Sequence, residues 1–248
     1  MSVAKFPAGG FRYIEAMFQY SGGVAAEPGF EMVRVRFARP PPMAEGFRAI
    51  EAHLKAAGRP LTSFAACELR SPKPFTEHGF VDFNRSYVQT LERWGLYQDG
   101  RNPVARSNVC PVYDVPLEPS FYAFAFTVPA RASRGTFIVA GSGEAPEGKG
   151  SYRKHMIAAS DNSPEGLRKK IRFVMAEMES RLGALGFGWP DATATHVYTV
   201  QDVGALVEKE IFAKGAAPGG LTWQFCRPPV EGLEYEMDLR GNAQELLF

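Results

Sequence analysis

Two side-chain types in this chain suggest one reaction: the guanidinium of Arg106 and the carboxylate of Glu234. An arginine fork grips a carboxylate through two parallel hydrogen bonds. A glutamate with a raised pKa in a partly apolar cleft deprotonates water and later hands a proton to nitrogen. Those are the parts needed to hydrolyse an imine. Each residue also has a plainer reading. Arg106 lies in Pro103-Val104-Ala105-Arg106-Ser107, a Pro-rich stretch where an ordinary surface arginine would be at home. Glu234 and Glu236 alternate with apolar neighbours in Leu233-Glu234-Tyr235-Glu236-Met237-Asp238, as the solvent face of a strand does.

Other chemistries are poorly served. Gly143-Glu144-Ala145-Pro146-Glu147-Gly148-Lys149-Gly150 nearly spells a phosphate-binding loop, but Gly150 stands where a hydroxyl should hold magnesium. Glu144 and Glu147 would repel phosphate, so the stretch reads as a flexible connecting loop. His53, His78, His155 and His196 are isolated, with no cysteine or acid at zinc-ligand spacing, which points to no metal site and no cofactor. There is no Gly-x-Ser-x-Gly elbow.

The elements that must position these groups are written twice. Glu45-Gly46-Phe47-Arg48 opens a helical run closing at Leu54 and Gly58, and Glu165-Gly166-Leu167-Arg168 opens one closing at Leu182 and Gly186; both closing pairs lie 128 residues apart. Strand-like, Ala-rich segments follow at Ser63–Leu69 and Asp191–Val200. A duplicated unit predicts two similar domains, 1–130 and 131–248. Phe83, Tyr87, Leu91 and Trp94 form a second helical stripe, and Asp202 to Gly215 predicts another helix. Met32–Phe37, Phe121–Val128, Thr136–Ala140, Leu221–Cys226 and Leu233–Leu239 read as strands. The result is an α+β, or mixed α/β, layer with helices on one sheet face.

Composition sets the setting. At 248 residues, with 45% hydrophobic and 22% charged residues, the chain is a globular protein of one large or two ordinary domains. A net charge of +1 gives no footprint for nucleic acid. No apolar run reaches membrane-spanning length. The odd, widely spaced Cys67, Cys110 and Cys226 argue for a reducing compartment, the cytoplasm.

Phe83-Asn84-Arg85-Ser86-Tyr87, Pro103-Val104-Ala105-Arg106-Ser107, Tyr20-Ser21-Gly22-Gly23, Val139-Ala140-Gly141-Ser142 and Glu234-Tyr235-Glu236, in this order, resemble the RidA (YjgF) family. The resemblance implies tandem domains, each a small mixed sheet backed by two helices. It also implies a homo-oligomer, with rings of three as the family form. It implies a cofactor-free hydrolase that releases ammonia from enamine or imine carboxylates, the 2-aminomuconate type among them. A chorismatase-like hydrolase and a non-catalytic sensor of small carboxylates are the alternatives.

Carried over residue by residue, Arg106 anchors the carboxylate and Glu234 activates water. Gly22, Asn84, Ser107, Cys110 and Tyr122 line the pocket. The departures are specific. In the first half the expected glutamate falls near Tyr122, and in the second the expected arginine falls near Gly220-Leu221, with Arg227 several residues later. Either the halves complement one another, Arg106 meeting Glu234 across a domain interface, or one site has decayed and the other has changed its chemistry.

Overall fold

A computed structural model describes residues 1–131 and 135–248. Its strands are β1 (Val3–Phe6), β2 (Phe11–Ile14), β3 (Gly23–Ala26), β4 (Phe30–Arg36), β5 (Phe64–Arg70), β6 (Ala105–Pro111), β7 (Ser120–Pro129), β8 (Phe137–Gly143), β9 (Ala194–Tyr198), β10 (Leu221–Gln224), β11 (Cys226–Arg227), β12 (Glu236–Gly241) and β13 (Gln244–Leu247). The helices are α1 (Met43–Ala56), α2 (Glu77–Arg93), the one-turn α3 (Tyr152–His155) and α4 (Pro164–Leu185). No helix among the described residues is long and apolar enough to cross a membrane.

Local signals set the ends of the long helices. Ser163 Oγ accepts from Gly166 N–H at 3.1 Å, Pro164 opens α4, and Gly186 closes it at φ +87°, a conformation glycine adopts without strain. Thr76 caps α2 in the same way through Gly79. The helix expected from Asp202 to Gly215 is different. A single turn, Gly204–Leu206, passes into a wider π-type turn, Val207–Ile211, and then a tight one, Phe212–Lys214. In that irregular path Ile211 reaches the core while Glu210 pairs with Arg168 and Arg172 of α4 at 3.1 and 2.7 Å.

Two sheets form, ordered β1-β2-β3-β8-β12-β9-β10 and β11-β6-β5-β7-β4-β13. The runs β8-β12-β9-β10 and β4-β7-β5-β6 share one plan. In each, the last strand lies antiparallel between the first and second, and the third is parallel to the second. The pairing crosses residue 130 in both directions. β3 joins β8, putting residues 3–26 in the sheet of the second half, while β11 and β13 join β6 and β4.

Three cores follow. Leu167, Ile171, Val174, Met178 and Leu182 of α4 pack on the first sheet, and Phe47, Ile50, Leu54, Tyr87 and Leu91 of α1 and α2 on the second. A third cluster mixes small residues, Ala65, Ala66, Ala105, Ala125 and Ala140, with larger ones such as Phe11, Met32 and Phe80.

A buried charge network ties the layers together. Arg34 and Arg240 both hold Glu68, with closest contacts of 2.6 Å each, and Arg240 also holds Asp238 at 2.6 Å. Asp238 accepts from Tyr198 at 2.8 Å and from Ser107, on the other sheet, at 2.5 Å. Burial alone would raise the Asp238 carboxyl, but Arg240 and His196 bring it below its ordinary value. Ser107→Ala therefore deletes a hydrogen bond to a charged group, worth about 1.5–3 kcal/mol. Urea unfolding is expected to show that loss with KM nearly unchanged; a large KM effect at full stability would place Ser107 on the substrate instead.

Candidate active site

Arg106 is 2% exposed, yet none of its three guanidinium nitrogens has a hydrogen-bond partner among the described residues. It stands in an aromatic cage, its guanidinium carbon 4.8 Å from the ring centre of Tyr87, 5.1 Å from Tyr20, 5.5 Å from Phe83 and 5.7 Å from Phe80. Phe80, Phe83 and Tyr87 recur at helical spacing on α2, which is why that stripe, and not a charged one, faces β6. Ring faces favour the cation but leave its in-plane N–H groups unmet. Five donors in a desolvated cavity are a receptor for an anion.

The cavity lies where β6 meets β8 and β12. Its lining includes Arg106, Asn108, Glu147, Tyr152, Leu233 and Glu236. Glu236, the first residue of β12, is 4% exposed. Burial, then the charges of Asp238, Glu147 and Glu144, hold its carboxyl well above the usual range, against the pull of Arg106. Gly141 on β8 makes room for it: a Cβ there would overlap the Glu236 carboxylate. A carboxyl raised in this way is suited to giving up a proton to a bound ligand.

The loop after β8 frames this pair. Glu144, fully buried, meets the equally buried Lys170 at 3.1 Å and accepts from the backbone N–H groups of Glu234 and Tyr235 at 2.7 and 3.0 Å. It thereby fixes the start of β12 and the position of Glu236. Glu147 accepts from Tyr20 at 3.0 Å and pairs with Arg181 at 3.2 Å. Burial and then the charge of Glu147 push the Tyr152 hydroxyl up to about 12. The stretch that resembles a phosphate-binding loop is thus part of the cavity wall.

The other residues singled out from sequence divide. Glu234 lies outside the cavity, its carboxylate accepting from Gln201 at 2.9 Å; Glu236, two residues on in the same alternation, lines it. Gly22 offers its carbonyl to Arg181 at 3.5 Å, and Ser107 is taken by Asp238. Asn84 is buried on α2, with neither amide atom partnered among the described residues. Cys110 is buried next along β6, its thiol pushed up to about 12 by burial and the charge of Glu236, so it fills space as a neutral group. Tyr122 lines a separate hollow, its ring under the Arg70 guanidinium at 4.0 Å. Arg227 is exposed. No local pattern announces Asn108, and Tyr20 and Glu147, which stand in motifs read for other reasons, join it only through the packing of the sheets.

Residues 3–246 match the family described as 2-aminomuconate deaminase CnbZ. The chain belongs to the CnbZ family of 2-aminomuconate deaminases. It is 59% identical over 245 residues, 98% of either chain, to 2-amino-5-chloromuconate deaminase of Comamonas testosteroni. CnbZ family members are deaminases, so this chain is an enzyme. Among solved structures it is similar to a chorismatase (TM-score 0.47, 11% identity, 92% of this chain and 78% of that one). It is also similar to the YjgF gene product of E. coli (TM-score 0.33, 15% identity, 44% and 80%).

The raised Glu236 carboxyl has a consequence for stability. In the unfolded chain it ionises near 4.3; in the fold it does so at higher pH. Between the two values the unfolded state has lost a proton that the folded state keeps. Its contribution is complete below the unfolded value and is lost as pH rises through the folded one. Glu236→Gln removes this dependence. The melting temperature of the variant minus that of the natural protein is expected to grow from pH 4 to pH 8; a difference constant with pH would contradict the buried, protonated carboxyl.

Proposed function

We propose that this chain hydrolyses the enamine of a six-carbon 2-amino dicarboxylate of the 2-aminomuconate type, releasing ammonia. The observation that carries the reading is a buried guanidinium without hydrogen-bond partners among the described residues and a buried carboxyl held well above its usual range, lining one cavity from opposite sheets. Arg106 holds the carboxylate beside the amino-bearing carbon. Glu236 gives its proton to the enamine chain, turning the C–N bond into a C=N iminium. Glu147, pinned by Arg181 and Tyr20, supplies the counter-charge.

Water then bonds to that carbon while the Glu236 carboxylate takes its proton. In the carbinolamine so formed, Glu236 protonates the nitrogen and the hydroxyl proton returns to Glu236. The C–N bond breaks, ammonia leaves and a ketone remains. One water is consumed, one ammonia is released, and Glu236 ends as it began. Ammonia release, followed with loss of the conjugated diene absorbance, tests the reading. Tight binding of the amino dicarboxylate without ammonia would overturn it in favour of a carboxylate sensor.

A further inference from the structure

Asn108 follows Arg106 by two residues on β6, so both side chains leave the same face of the strand, about 7 Å apart. It is 3% exposed and lines the same cavity. Its Oδ1 accepts from Ser71 Oγ at 2.9 Å, which fixes the amide plane. Its Nδ2 has no partner among the described residues. A buried N–H left unmet costs about 1–3 kcal/mol. The buried side-chain donors left without partners in the described cavity lining are therefore those of Arg106 and this one. Across from them Gly141 and Gly143 line the cavity without side chains, with the Glu236 carboxyl seated over Gly141.

We propose that Asn108 is the specificity-determining residue of the cavity: its Nδ2 donates to the distal carboxylate of a dicarboxylate whose proximal carboxylate lies on Arg106. This rests on the deaminase reading and deepens it. The spacing suits the ligand. Five carbon–carbon bonds in an extended zigzag separate the carboxyl carbons of a muconate skeleton by roughly 6 Å, the scale of two residues along a strand. A neutral amide on a carboxylate selects for the second acid without the desolvation burden of a second buried cation.

Muconate and sorbate are the probes, for they share the six-carbon diene and differ in the distal carboxylate. Calorimetry on the natural protein is expected to show muconate binding at least about tenfold tighter, the worth of one bond to a charged group. In Asn108→Leu the two affinities should converge, with sorbate unchanged within about threefold. Asn108→Asp, which keeps the shape and the Ser71 bond, should bind muconate worse than sorbate. A muconate preference that survives in both variants overturns the proposal, as does a natural protein that binds the two alike. Retained sorbate affinity reports that the variants fold. Arg106→Met separates the underlying reading: it should weaken both ligands, and unchanged sorbate binding there would sink the anchor role of Arg106 itself.

Discussion

Replacing Arg106 by alanine is expected to lower kcat/KM on an amino dicarboxylate by at least about a hundredfold, in a protein that still folds. The guanidinium is buried among Tyr20, Phe80, Phe83 and Tyr87 and has no anionic partner among the described residues, so its unmet donors are directed to the ligand. Two charge-assisted bonds at about 1.5 kcal/mol or more each give that factor. Because the carboxylate also sets the amino-bearing carbon against Glu236, kcat should fall along with the rise in KM. Arg106→Met carries a second expectation. Removing an uncompensated buried cation while keeping apolar volume should leave the melting temperature equal or higher. A variant with natural kinetics, or one that melts well below the natural protein, would show that Arg106 serves the fold and not the substrate.

Glu236→Gln is expected to lower kcat on the order of a hundredfold to ten-thousandfold while ligand affinity persists. Glutamine keeps the shape beside Gly141 but neither gives nor takes a proton at the required steps. Glu234→Gln is the matched control, because its carboxylate lies outside the cavity on Gln201, and it should change kcat by less than about threefold. Steady-state ammonia release on both variants decides. The reverse ranking would mean that the acid–base work belongs to Glu234.

Much of this was legible before any coordinates. The apolar stripes Leu167–Leu182 and Phe83–Leu91 predict α4 and α2, because helical spacing is a local property. Arg106 stood out through its motif. Glu236 did not, because Glu234, Glu236 and Asp238 share one parity of an alternating strand. Only the pairing of Glu236 with Gly143, and the room that the missing side chain of Gly141 leaves for its carboxyl, selects among them. The expected meeting of Arg106 with Glu234 does not occur in the cavity; Glu236, two residues on, lines it with Arg106 in the same chain. That β3 pairs with β8 is an interaction over more than a hundred residues, and no local pattern encodes it. Glu144 and Glu147 argued against phosphate, but burial against Lys170 and Arg181, not charge alone, gives them their work.

The threading of β12 between β8 and β9 sets a timetable for synthesis. As the ribosome proceeds, β4 to β7 can assemble early, since their partners are neighbours in time as well as in space. The other sheet cannot close. β8 offers β3 one edge and leaves its second edge bare, a template for stray strands, until residues 236–241 emerge to fill the gap. Glu236 arrives on that same late strand. A nascent chain therefore holds its anion receptor before it holds its acid, and hydrolysis begins only after the layer that shelters the reaction has been sealed.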